Sequence, residues 1–336
     1  MNKKDLNNFF IAISPDDEQK EKVLGDILKG EENMTKIKTK ATLALVAVLI
    51  LAITGLTAMA AAFNWHEKLI EYFNPTKEQI EYMEGAVFSP QATATDNGVT
   101  VNILNTLVDG HGIYTLYEVL LPESVTVSQD LIDKNLGWEY DFMNYKTTEA
   151  EGVTGMGGGS KKILDFSAHK MTILNYDFTN QKIINNQTLT YDFKNLVYYV
   201  HTQDDIIQNT LVKCNLSLSW TLDYEDKTKI LNVNKKTEIY PGKNNTVTTV
   251  EVSPISVWIK IEGDDTMMAA KPVIKFKDGE TIQFDARNDF NVQSNFTNYL
   301  DGREGGIITF GYRFDNIHDM SDYESITIGD LVIPIE

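Results

Sequence analysis

From Val99 onward the apolar residues of this chain fall at every second position, the period of a half-buried β-strand. Val99, Val101 and Ile103 share one face, and Ile113–Leu121 is a β-branched and aromatic run. The turn Asp109-Gly110-His111-Gly112 joins them, which predicts a hairpin. Similar runs lie at 163–166, 171–178, 188–193, 211–224, 246–251, 257–262, 273–276, 281–284, 307–314 and 325–335. Asn, Asp and Gly separate most of them, with little helix between. That alternation predicts antiparallel sandwiches, and the number of runs fits two of them. The first is expected over 65–207 and the second over 208–336, with the boundary in the polar stretch around Asp204, Asp205 and Gln208. Gly152–Ser160, with five glycines in nine residues, reads as a flexible excursion within the first domain.

Helical spacing precedes the strands. Trp65–Phe73 and Lys77–Met83 read as short helices, the second opened by Thr76 with Gln79 three residues on, a capping-box pattern. Further upstream, Ala41 to Trp65 contains no Asp, Glu, Lys, Arg or His, and its centre is almost wholly Leu, Ile, Val and Ala. At about 1.5 Å rise per residue such a helix exceeds a hydrocarbon core of roughly 30 Å, so a transmembrane helix is expected over 41–64. Lys36, Lys38 and Lys40 precede it without an intervening acid, which puts the N-terminus in the cytoplasm and everything from 65 onward outside. Trp65 is placed for an interfacial anchor. The other reading is a cleaved signal, since Ala58-Met59-Ala60 fits a small-x-small cleavage pattern.

Residues 1–40 form a short tail with two amphipathic stripes. Ser14, Pro15 and the acids Asp16, Asp17 and Glu18 suit the start of a helix that Gly30 ends. Within it Val23, Leu24, Ile27 and Leu28 share one face, while Phe9, Phe10 and Ile13 belong to a stripe before it. Two segments totalling about thirty residues cannot bury both stripes as a domain, being under the roughly 40 residues below which folding alone is rare. They pack on each other, lie on the inner membrane face, or enter a groove of a cytoplasmic partner.

The formal net charge of −18 changes this picture when divided along the chain. The tail is neutral, with eight lysines and eight acids, so the excess belongs to residues 66–336, where 40 acids face 22 bases. So acidic a region argues against nucleic acid as a partner. One cysteine, Cys214, excludes an internal disulfide framework, and its parity with Leu216 and Leu218 makes it an inert core thiol. The five histidines are scattered without metal-ligand spacing. Only His111 stands near a second liganding type, Asp109, and there a surface turn accounts for both residues. The run Gly155–Lys162 lacks P-loop spacing, the doubled acids lack that of a calcium loop, and there is no Gly-x-Ser-x-Gly elbow. No catalytic, cofactor or metal residue is therefore expected, and an enzyme is the class with least support.

The sequence Ile13-Ser14-Pro15-Asp16-Asp17-Glu18-Gln19-Lys20-Glu21-Lys22, one apolar span, and Ala94-Thr95-Asp96-Asn97-Gly98-Val99-Thr100-Val101 leading to Tyr114-Thr115-Leu116-Tyr117-Glu118-Val119 resemble a domain-of-unknown-function family of low-GC Gram-positive bacteria. Lys271–Gly279 and Ile326–Gly329 resemble the second immunoglobulin-like domain that often follows it. The resemblance implies a mainly β ectodomain of two immunoglobulin-like sandwiches. It also implies a gene beside an extracytoplasmic-function sigma factor and an anti-sigma role. Zinc-type anti-sigma domains carry a His and Cys cluster; residues 1–65 contain neither residue, so no binding residues carry over. The expectation is a single-pass membrane regulator. Its tail would hold a sigma factor through Phe9, Phe10, Ile13, Val23, Leu24, Ile27 and Leu28, and its outer domains would meet an extracellular ligand or protease. The alternative is a surface-anchored β-sandwich binding or adhesion protein with no regulatory role.

Overall fold

A computed structural model of the chain describes residues 64–146, 153–155, 157–178, 182–202, 205–264, 267, 269–284, 292–298 and 305–335. The tail, its seven partner-binding candidates and nearly all of the expected transmembrane segment lie outside them. Among the described residues no helix is long and apolar enough to cross a membrane. Asn64–Glu336 forms one compact unit with two hydrophobic cores.

The first core lies between two antiparallel sheets. One contains β1 (Val87–Phe88), β2 (Thr93–Asp96), β3 (Val99–Val108), β4 (Gly112–Leu120), β7 (Gly157–Ser167) and β8 (Lys170–Phe178), in the order β1-β3-β4-β8-β7 with β2 paired to β3. The other has the order β10-β9-β5-β6, from β5 (Gly137–Lys146), β6 (Val153–Gly155), β9 (Thr188–His201) and β10 (Ile206–Thr221). Alternation places Val99, Val101, Tyr117 and Val119 of one sheet against Tyr191, Phe193, Leu216 and Leu218 of the other. Cys214 is buried in this core as a free thiol, and burial pushes it up from its ordinary value. A short helix, α3 (Gln129–Asp133), precedes β5.

The outer face of the β1-containing sheet is covered by the N-terminal segment, which makes the first domain three layers deep. Helices α1 (Glu67–Phe73) and α2 (Lys77–Tyr82) form where the spacing predicts them. Thr76 caps α2 through the reciprocal box with Gln79, at 2.8 and 3.3 Å. Phe73 meets the Tyr114 ring edge-on at 5.0 Å, and Leu69, Ile80 and Met83 are buried. Trp65 is buried too, at 4% exposure, so it packs within the folded domain.

The second core lies between the sheets β11-β12-β13-β17-β16 and β15-β14-β18-β19. The five strands of the first are β11 (Lys229–Tyr240), β12 (Lys243–Val252), β13 (Ser256–Gly263), β16 (Val292–Asn298) and β17 (Gly306–Arg313). The four of the second are β14 (Val273–Phe276), β15 (Thr281–Gln283), β18 (Tyr323–Ile328) and β19 (Leu331–Pro334). The run expected over 325–335 is two strands folded back at Gly329.

Two boundaries differ from expectation for physical reasons. Beyond residue 207, β10 stays hydrogen-bonded to β9 from Ile206 to Thr221, and Leu222 and Tyr224 still pack in the first core. The first sandwich therefore runs to Tyr224. The glycine-rich stretch expected as an excursion is largely strand: β6 pairs with β5, and β7 pairs with β8 with register shifts. Ladder hydrogen bonds need only backbone, which glycine supplies.

Candidate functional site: the seam between the sandwiches

The β3–β4 turn is where the two domains meet. Asp109 organises it, accepting from the backbone N–H of Gly112 at 2.6 Å and of His111 at 3.4 Å, while Gly110 takes the left-handed conformation with φ of +83°. A hydroxyl from across the seam completes the shell, because Ser253 donates to Asp109 Oδ2 at 3.3 Å. In the linker, the Thr228 hydroxyl donates to the Asp109 carbonyl at 3.0 Å. Burial pushes the Asp109 carboxyl up against these hydrogen bonds. The turn expected on the surface is thus inside, with Asp109 3% and His111 5% exposed.

His111 crosses to the second domain. Its ring stacks on Trp258 at 4.7 Å, and its Nε2 lies 3.3 Å from Glu251 Oε2. At that distance Glu251 Oε2, a buried atom, faces the imidazole without another hydrogen-bond partner among the described residues. Burial raises the Glu251 carboxyl, but His111 and Lys182 together outweigh it and the net displacement is downward. The register Glu251↔Trp258↔Gly311 lays the indole across Gly311, where a Cβ would stand 2.5 Å from the ring. Only glycine fits there.

Further contacts surround this centre. Tyr114 donates to the Phe314 carbonyl at 3.3 Å, Arg313 lies over the Tyr176 ring at 5.0 Å, and Gln79 of α2 donates to the Ile317 carbonyl at 2.8 Å. Lys182 pairs with Asp226 of the linker at 2.8 Å. Beside the clasp opens a pocket of about 360 Å³, walled by His111 and Lys182 of the first domain and by Glu251, Trp258, Lys260 and Glu262 of the second.

A second polar group lies inside the first sandwich. Thr106, Thr115, Asn175 and Lys161 occupy one cross-strand row. Asn175 donates to Asp177 at 2.5 Å and to the Tyr191 hydroxyl, and Lys161 pairs with Asp141 at 2.5 Å. Burial first, then the Asp141 charge, pushes Asp177 up to about 7.

Of the residues singled out in the sequence, the structure brings Asp109 and His111 together in the seam and leaves the other described histidines apart from it. His66 caps α1, accepting from Lys68 N at 3.2 Å. Among the described residues no cluster of three or more His, Cys, Asp or Glu could hold a metal ion. Sequence reasoning passed over Trp258, Glu251 and Lys260. The signal was parity: in 257–262, Val257, Ile259 and Ile261 face the core, so Trp258 must occupy the outer face, where a tryptophan needs a cover.

No protein-family model and no curated protein matches the sequence. A solved structure, described as the crystal structure of the conserved domain protein from Bacillus anthracis, is similar to this chain at 12% identity with a TM-score of 0.47. The match covers 76% of this chain and 94% of that one.

Proposed function

We propose that this chain is a single-pass membrane regulator whose paired β-sandwiches, immunoglobulin-like in character, read a condition outside the cell for the N-terminal tail. In this reading the tail sequesters an extracytoplasmic-function sigma factor. The observation that carries the reading is how folding begins at the end of the apolar run. Asn105, 1% exposed on β3, grips the chain as it enters the domain: it accepts from His66 N at 2.6 Å and donates to the Asn64 carbonyl at 2.9 Å and to Ser89 Oγ at 2.7 Å. These hydrogen bonds fix the chain within the domain from Asn64 onward. In this reading a displacement of the folded domain is carried through Asn105 to Asn64, a hold that a passive anchor does not require. The lysine-flanked, uncharged span and the two apolar stripes of the tail agree with this assignment.

The test is co-purification from native membranes. The full-length protein should retain a sigma factor, and Leu24→Asp and Ile27→Asp should each lower recovery at least about ten-fold, as an apolar helix face in a groove demands. Absence of any sigma factor, together with unchanged transcription after deletion of residues 5–30, overturns the regulatory reading in favour of a surface binding protein.

A further inference from the structure

We infer that the pocket beside the His111–Glu251 clasp is a binding site for a small zwitterion, an amino acid or dipeptide carrying both a free ammonium and a free carboxylate. This deepens the reading above by naming what the ectodomain would sense. The pocket floor is the outer face of the five-stranded sheet, and the register arranges its polar groups in rows. Thr249↔Lys260↔Thr309 is one cross-strand row, an ammonium flanked by two hydroxyls. Neither the Lys260 ammonium nor either threonine hydroxyl has a hydrogen-bond or ion-pair partner among the described residues. A carboxylate has two oxygens that accept from these three donors.

Glu251 stands in the row toward the seam, so a carboxylate lies beside the Lys260 row and the two rows together offer one positive and one negative group to a ligand. Lys260 and Glu251 are diagonal neighbours at roughly 7–8 Å. A dipeptide spans such a separation directly, and an amino acid does so with the side chains leaning inward. The volume of about 360 Å³ lies at the small end of the roughly 300–1,000 Å³ typical of such sites.

The position of the site couples it to the seam. The Glu251 side chain is partly exposed and its buried Oε2 faces His111, so a ligand ammonium at the accessible part of this carboxylate competes for its charge and relaxes its hold on the imidazole. Occupancy would thereby alter the clasp between the domains.

Isothermal titration of the full-length protein in detergent with L-alanyl-L-alanine tests this, with acetate and ethylamine as single-charge controls. The dipeptide should bind and the controls should not. Lys260→Met, a change at an exposed residue, should weaken binding at least about ten-fold with the Tm unchanged, as should Glu251→Gln provided its near-UV spectrum is native. Lys275→Met, on the other sheet of the same sandwich, should bind like wild type. No dipeptide binding, equal binding by the controls, or an unaffected Lys260→Met variant overturns the site. Sigma-factor recovery is read without dipeptide, so its loss alongside intact binding overturns only the regulatory reading.

Discussion

Asp177 is a carboxylic acid in the interior of the first sandwich, faced by Asp141 from β5, Lys161 from β7, Asn175 from its own strand and Tyr191 from β9. Its folded value of about 7 stands above the unfolded 3.8. The folded state therefore holds a proton that the unfolded state has released across that interval. Stability is greatest below the unfolded value, falls as pH rises, and levels off above about 7. Asp177→Asn should remove this slope and leave the protein more stable at pH 8 by up to roughly 4 kcal/mol. Chemical denaturation at several pH values measures it, and a variant that keeps the wild-type slope would assign the slope elsewhere. The alternation of 171–178 puts Asn175 and Asp177 on the core face with Met171 and Ile173, so their burial was legible. The upward displacement was not, because the charges around Asp177 come from strands distant in sequence.

At the scale of elements, the strands with strong alternation stand where their pattern predicts, as 273–276 does to the residue. Three longer strands went unread. β11 is an edge strand with mostly exposed positions, β5 mixes aromatic with polar residues, and β16 is mostly polar; none carries a clear period of two. Backbone pairing with a neighbour decides such strands. Helices α1 and α2 illustrate the opposite case. Their caps and stripes are local, yet at seven and six residues they are too short to persist alone and depend on the sheet beneath. Asn105→Ala should test that dependence. Losing its grip on residues 64–66 leaves buried backbone groups unpaired, and a cost of about 2–3 kcal/mol is expected. Hydrogen exchange should show amides 65–69 losing protection while those of β13 and β17 keep theirs. Uniform loss across the unit would mean that Asn105 acts on global stability and not on the entry of the chain.

At the scale of the whole molecule, the seam makes the two sandwiches one body. Its centre is a lock-like layering: Gly311 beneath, the Trp258 indole across it, and His111 above, with Asp109 holding the turn that delivers the imidazole. Gly311→Val should push the indole outward. Overpacking of this kind costs about 1–3 kcal/mol, and its structural consequence is separation of the domains. Trypsin should then cut faster at Lys227 in the linker, where wild type pairs Lys227 with Glu225 at 2.9 Å. Unchanged cleavage with an unchanged Tm would show that the clasp does not depend on Trp258.

The sequence by itself determined the mainly β character, the two N-terminal helices with their capping box, the parity of each well-patterned strand and the core location of Cys214. These follow from local chemistry, from period, turn residues and caps acting within a few positions. Only the tertiary structure decided that the first sandwich runs to Tyr224, that Trp65 is buried under the domain, and that the Asp109–His111 turn lies inside a seam. Each of those depends on pairing between residues far apart in the chain. A short polar turn reads as solvent-exposed until a second domain covers it, and the cover here is supplied by Ser253 and Trp258, more than 140 positions away.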